Sequence, residues 1–415
     1  MGEGATAKHF VLLQADADFE EGPLSGRSEG DSPRGAASQL PGETSQASGD
    51  DLFLIVAGGT GGHVFPGLQV ARELKRRGHS CVFAGTERGQ EKHLVPAAGF
   101  PIEFLRIGAL NKVSLARRLR TLAEAPSSLL AAASILDRTR PRALMSLGGY
   151  ASGPLLVMAI MRGLPVLILE PNAVPGLAHR LAGPFASRAQ IGFPAAAKYF
   201  PYGRVEIGGI PIREEFFSLP PRDTGTPLTI LITGGSQGAK GLNRAAIASL
   251  PLWKTKGLLD RVRFLHQTGA ADYQEVRAAY ETHGVNARVG AFFDDMPKAF
   301  GEADLVVSRA GASAVAELAA AGKPSLLVPY PHAADQHQLR NAEAMAAGGA
   351  ARVILDAAWD GARFFEEIVE ILYSPSILAT MGAAARRQAR PGAASRAADA
   401  LQELAGSVRR VRRQG

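Results

Sequence analysis

The stretch LFLIVAGGTGGHVFPGLQVARELKRRG, Leu52 to Gly78, decides the fold of this chain. An apolar run enters a loop with four glycines in five positions, Gly58 to Gly62, then a histidine, His63, then apolar residues at helical spacing. A strand that passes through glycines into a helix presents unpaired backbone N–H groups and a helix end worth roughly half a positive charge. Such a unit is an anion seat or merely a tight turn, and its recurrence later in the chain favours the anion.

Working outward, LFLIVA, SCVFAG, ALMSL, PVLILE and AQIGF read as buried strands separated by helix-length segments such as Phe65 to Arg77. This alternation predicts a parallel, doubly wound α/β sheet. After VEIGGIPIREEF the stretch SLPPRDTGTP resembles a linker, and the pattern restarts with LTILIT, RVRFLHQTG, ARVGAFF, ADLVVSR and PSLLVPY. The expected organisation is a first domain over 51–213, a linker over 214–226, a second domain over 227–390 and a returning helix with a basic tail over 391–415. Residues 1–50 lack periodicity and read as a disordered extension or an early start codon. Two such domains facing one another place a cleft between the carboxyl ends of their strands.

The first loop is answered by LTILITGGSQGAKG in the second half, again strand, glycines, helix. A third, SLGGYASGP, carries Gly149 and Tyr150 on the same edge of the first sheet. Paired loops in one domain suit a pyrophosphate-bearing acceptor, and the single loop in the other suits a nucleotide diphosphate. Neither glycine loop is a Walker A, since Gly241 follows Lys240, and neither completes G-x-G-x-x-G, since Val64 stands at the third glycine. A nicotinamide enzyme using Glu87 for ribose stays open, as does a non-catalytic nucleotide-sugar-binding protein. In SRAGASAVAELAAAGKPSLLVPY, Glu317 sits one turn into a helix, where it either accepts ribose hydroxyls or pairs with the helix end.

Composition narrows the classes. With 46% hydrophobic residues in 415, the chain has material for two cores, and its single cysteine, Cys81, suits a reducing compartment such as cytoplasm. A formal charge of +7 points to anionic company, but the basic residues are not interleaved with aromatics, which argues against nucleic acid. The window Gly153 to Leu169 is cut by Arg162, Gly163 and Pro165, short of the roughly 18 apolar residues of a span. Asp16 and Asp18 form a DxD pair, but in the unpatterned N-terminal stretch, so it reads as spurious.

Taken together, GGTGGHVFPGLQVARELKRRGH, LGGYASGP, EPNAVPGLAHR, GGIPIR, ITGGSQGAKGLN, FFDDM and SRAGASAVAELAAAGKPSLLVPYPHAADQHQLRNA resemble the MurG family in order. The resemblance implies a GT-B fold and inverting transfer of N-acetylglucosamine from UDP-N-acetylglucosamine to the 4-hydroxyl of undecaprenyl-pyrophosphoryl-N-acetylmuramoyl-pentapeptide, lipid I, to give lipid II. It implies a peripheral enzyme on the cytoplasmic face of the bacterial inner membrane, with no cofactor and no metal. Carried over, Ser236 and Gln237 would meet the donor diphosphate, Phe293 the uracil edge through its backbone, Glu317 the ribose and His337 with Gln338 the sugar hydroxyls. Arg213 would lie at the hinge near the nucleotide. Thr60, Gly61, Gly62, Gly149 and Tyr150 would seat the acceptor pyrophosphate, with His63 and Asn172 as catalytic residues beside them. Pro171 and Ile210 stand where the family often has polar residues.

For the chemistry, His63 is the candidate base, because imidazole titrates near neutrality; the alternative is that it bonds a neighbouring loop and orders the acceptor pyrophosphate. The helix after GGSQGA can hold the leaving diphosphate, so no divalent cation is expected. His332 and the remaining histidines lack a partner at comparable spacing and read as surface or packing residues. Leu115, Leu119 and Leu122 share a helix face flanked by Lys112, Arg117, Arg118 and Arg120, which is either an ordinary core-facing helix or a patch for anionic lipid. The arginines at 409, 410, 412 and 413 extend that basic surface or form a solvated tail.

Overall fold

A computed structural model describes residues 51–59, 61–105, 125–149, 151–220 and 227–414, with side chains to residue 407. Thr60, Tyr150, the Asp16 and Asp18 pair, the basic segment around Lys112 to Leu122, most of the SLPPRDTGTP stretch and the terminal arginine side chains lie outside the described residues.

The first sheet has seven strands: β1 Leu52–Ala57, β2 Ser80–Gly85, β3 Ile102–Phe104, β4 Ala143–Gly148, β5 Val166–Glu170, β6 Arg188–Ile191 and β7 Val205–Glu206. The second has six: β8 Leu228–Thr233, β9 Val262–Gln267, β10 Ala287–Gly290, β11 Leu305–Ser308, β12 Ser325–Leu327 and β13 Ala351–Val353. Strand orders are β3-β2-β1-β4-β5-β6-β7 and β10-β9-β8-β11-β12-β13, with parallel pairing between neighbours. Both are doubly wound sheets whose order reverses beside β1 and β8, the strands that feed the two glycine loops. The fold class expected from the sequence is the one found.

β1, β4, β5 and β8 are almost wholly buried because helices cover both faces, which is why they read as continuous apolar runs. Three strands, β3, β7 and β13, were not anticipated. All are two or three residues long and lie at sheet edges, where half-exposed backbone tolerates Glu103, Glu206 or Arg352 and the apolar signal fades.

The helix expected from Phe65 begins at Gly61, so His63 sits in its first turn and not in the loop. Further along, Phe216 is fully buried and packs edge-on against Phe300 at 5.1 Å, so the beginning of the segment after residue 213 belongs to the second core. Ile210 joins the same apolar cluster with Phe193, which gives an aliphatic side chain there a packing role.

The final helix, Ala393–Gln414, lays Ala397, Ala398, Leu401 and Ala405 on the first sheet's core. Arg77 fastens it, donating to Asp399 at 2.5 Å, Gln402 at 2.6 Å and Ser395 Oγ at 2.6 Å. Among the described residues no single helix is long and apolar enough to cross a membrane; the window Gly153 to Leu169 divides into the helix Ser152–Met161 and buried β5.

Candidate active site

On the first sheet, the loops after β1 and β4 touch. Gly149, at φ +90°, lies so close to Gly58 that a side chain at 149 would collide with the Gly58 carbonyl. The pairing of β1 with β4 shifts register at Ala57, which carries Gly148 and Gly149 into this position. Beneath the pair lies Glu91, fully buried. Its carboxylate accepts the Gly59 N–H at 2.9 Å, the Thr86 N–H at 2.8 Å and the Thr86 hydroxyl at 2.9 Å. Side chains at Gly85 or Gly89 would occupy its space.

His63 stands over this floor. Assigning the Nδ1 proton to the bond with the Gly58 carbonyl, at 3.2 Å, leaves the Nε2 lone pair free beside Gly148. Burial lowers the His63 pKa below the ordinary histidine range, Glu170 opposes this, and His179 and His337 reinforce it. The ring is therefore neutral near pH 7 and able to take a proton.

Asn172 follows β5 at the same edge. Its backbone N–H and side-chain amide both donate to Glu170 Oε1, at 2.9 and 3.2 Å. Its own Oδ1 accepts from Asn341 of the second domain at 3.2 Å, and Asn341 Oδ1 in turn accepts the Ala173 N–H at 2.9 Å. Other bonds also cross the cleft: Gln90 donates to Ser236 Oγ at 3.3 Å, and Arg180 pairs with Asp335 at 2.5 Å. Pro66 has no N–H for the Gly62 carbonyl one turn before it, and that carbonyl instead meets the Ser313 hydroxyl at 3.4 Å.

On the second sheet, Ser236 and Gln237 are exposed at the tip of the loop between β8 and the helix Lys240–Thr255. Gln267 binds this loop to the next, donating to Gly235 O at 2.9 Å and accepting the Phe293 N–H at 2.8 Å. The Phe293 N–H is thus engaged within the protein. Glu317, in the helix Ala312–Ala321, has its carboxyl raised to about 7 by burial, with Arg213 acting in the opposite sense. His337 and Gln338 open the helix His337–Ala347, directly after Asp335 and Gln336. Those two residues hold left-handed backbones, φ 50° and 53°, a local strain of the kind concentrated at binding sites. Gln338 Oε1 accepts the Tyr330 N–H at 3.0 Å, and His337 Nδ1 meets the Ala334 carbonyl at 2.7 Å.

The structure thus gathers His63, Gly61, Gly62, Gly149 and Asn172 on one wall and Ser236, Gln237, Arg213, Phe293, Glu317, His337 and Gln338 on the other. Sequence reasoning missed Glu170 and Asn341, which bond Asn172, Gln267, which bonds Phe293, and Glu91, which holds the glycine loop at Gly59. It also read His179 as an ordinary packing residue. His179 is buried, but Glu170 at 2.7 Å and Ser146 at 2.9 Å partner it, both distant enough in sequence that spacing gives no hint.

Residues 53–191 match the glycosyltransferase family 28 N-terminal domain and residues 229–404 its C-terminal domain. A protein of Solibacter usitatus named UDP-N-acetylglucosamine--N-acetylmuramyl-(pentapeptide) pyrophosphoryl-undecaprenol N-acetylglucosamine transferase is 49% identical over 354 residues, 85% of this chain and 96% of the relative. An identically named protein of Anaeromyxobacter sp. (strain K) is 42% identical over 357 residues, 85% of this chain and 92% of the relative. The crystal structure of Acinetobacter baumannii MurG superposes with a TM-score of 0.70 at 31% identity, covering 85% of this chain and 99% of that one.

The chain belongs to the MurG family.

Its two walls are therefore the halves of a GT-B glycosyltransferase. MurG membership replaces the nicotinamide and non-catalytic readings, and Glu87, the ribose ligand of the nicotinamide reading, is an exposed surface residue.

Glu91→Ala should destabilise the first domain by about 2–3 kcal/mol, since three donors to a buried carboxylate lose their acceptor. Thermal unfolding should register a fall of roughly 5–10 °C. A shift below about 1 °C would show that the carboxylate does not hold the glycine loop.

Proposed function

We propose that the chain transfers N-acetylglucosamine from UDP-N-acetylglucosamine to the 4-hydroxyl of the N-acetylmuramoyl unit of lipid I, inverting the anomeric carbon and yielding lipid II. The observation that carries this reading is the pair of glycine loops, one per sheet, opposed across a bonded cleft in a chain of the MurG family.

In this reading the acceptor pyrophosphate sits on Gly61, Gly62 and Gly149, with Thr60 and Tyr150 beside it, and the UDP diphosphate on Ser236 and Gln237. His63 Nε2 takes the proton of the 4-hydroxyl as its oxygen attacks the sugar C1. The bond from C1 to the diphosphate breaks, and the growing negative charge on UDP is met by the N-terminus of the helix Lys240–Thr255. Asn172 steadies the accepting sugar. Glu317 accepts the ribose hydroxyls with Arg213 nearby, the Phe293 carbonyl meets uracil, and His337 and Gln338 hold the sugar hydroxyls.

We place the chain peripherally on the cytoplasmic face of the inner membrane, where a lipid-linked acceptor resides. In support, Leu130, Val157, Met161, Leu177, Leu181 and Phe185 are exposed on neighbouring helices of the first domain, Met161 at 74% and Leu181 at 67%. Apolar contact combined with a net positive chain suits an anionic lipid surface.

Three outcomes are expected. His63→Ala should lower turnover by roughly 10²- to 10⁴-fold with unchanged UDP-N-acetylglucosamine binding, and normal turnover would remove His63 from the mechanism. Because a carboxyl near 7 must ionise to accept ribose hydroxyls, UDP-N-acetylglucosamine binding should release protons below about pH 7 and strengthen as pH rises through that value. Calorimetry in buffers of different ionisation enthalpy reads this directly. Glu317→Gln should bind more weakly and without proton release, whereas equal affinity at every pH would sink the ribose assignment. Finally, the full chain should sediment with vesicles containing anionic phosphatidylglycerol, less so as Met161→Glu or Leu181→Glu; negligible binding with or without anionic lipid would refute the surface.

A further inference from the structure

We infer that His179 is a positioning residue for the acceptor half of the reaction: it holds Glu170 so that Asn172 is presented to the cleft. This rests on the transfer reaction proposed above, with Asn172 beside the accepting sugar.

The observation is a continuous line of six side chains. Ser152, the first residue of the helix Ser152–Met161, lies 3.1 Å from Ser146 Oγ, and Ser146 lies 2.9 Å from His179 Nε2. The Nδ1–H of His179 donates to Glu170 Oε2 at 2.7 Å, Glu170 Oε1 takes both N–H groups of Asn172, and Asn172 Oδ1 takes the Asn341 amide of the other domain. Ser146, Ser152 and Asn341 are completely buried, and His179 and Glu170 are 1% and 2% exposed. The line therefore runs through the protein from the third glycine loop to the donor domain, and of its members only Asn172 is partly open to solvent.

Glu170 is the member that needs explaining. It sits at the end of β5 with its two oxygens divided, one serving Asn172 and the other His179. A buried carboxylate deprived of a donor is costly, and it turns toward another donor or loses its fixed place. Either response withdraws the fixed acceptor that sets the Asn172 amide, and with it the amide's grip on Asn341. His179 has no surface at the cleft and its two ring nitrogens are both engaged, so it acts through Glu170 and not on substrate. His63 shares no hydrogen bond with the line: its Nδ1 is on Gly58, and it meets the line through the space above Gly148 and through the charges of Glu170 and His179.

The two ends of the histidine can be dissected. The amide of Asn occupies roughly the place of Nδ1 and keeps the donor to Glu170, while the longer Gln reaches the place of Nε2 and Ser146 but leaves Glu170 short. Steady-state transfer of N-acetylglucosamine from UDP-N-acetylglucosamine onto a lipid I analogue tests this. His179→Ala and His179→Gln should lower kcat roughly 10- to 100-fold, the range for losing one hydrogen bond to an ionised group, with the KM for UDP-N-acetylglucosamine unchanged within about twofold. His179→Asn should keep kcat within about threefold of the parent. In an Asn172→Ala background, His179→Ala should cost little more, because its effect is already spent. The inference is overturned if Gln serves as well as Asn, or if His179→Ala costs its full factor without Asn172. Should the Ala variant fail to fold, the Asn and Gln pair decides. No transfer by the parent chain would instead sink the reaction assignment, while parent activity with a normal His179→Ala variant sinks only this inference.

Discussion

A parallel sheet ends all its strands on one edge, and there the backbone has donors without partners. Both sheets of this chain turn that edge to the same cleft. Every bond described across it comes from a segment that follows a strand: Gly62 after β1, Gln90 after β2, Asn172, Ala173 and Arg180 after β5, answered by Ser236 after β8, Ser313 after β11, and Asp335 and Asn341 after β12. Strand direction thus dictates which residues can meet, and the glycine loops are the places where backbone itself reaches the ligand space.

Charge is arranged to match. In the proposed reaction the glycine loops offer N–H groups and helix ends to phosphates, while the ionisable residues nearby are carboxylates and histidines. Burial depresses the basicity of His63 and raises the carboxyl of Glu317 to about 7. Glu91 and Glu170 are buried and spend their lone pairs on protein donors. The site is in this sense built in two layers, one facing the cleft and one behind it that holds the first in place.

The outer layer was largely legible in the sequence, and the inner one was not. Glycines between an apolar run and a helix have few uses, so Gly58 to Gly62 and Gly234 to Gly238 identify their loops directly. Glu317 and His63 stand at fixed distances from such loops. Glu91, His179 and Asn341 carry no comparable mark: besides nearer neighbours such as Thr86 and Glu170, they bond partners 32, 33 and 169 residues away, brought together by sheet order and by the meeting of the two sheets at the cleft. The edge strands β3, β7 and β13 escaped for a different reason, being too short and too polar to show a period. The helix start at Gly61 was hidden because glycine opposes a helix everywhere but at its ends.

The account stands on one claim, that the two loops seat two diphosphates of one transfer reaction. It is tested most directly by supplying the full chain with UDP-N-acetylglucosamine labelled in the sugar and a lipid I analogue, in the presence of EDTA. Labelled disaccharide-lipid should form together with UDP, and neither should form when the analogue lacks its pyrophosphate. Transfer that is indifferent to the acceptor's pyrophosphate, or no transfer at all, would contradict it.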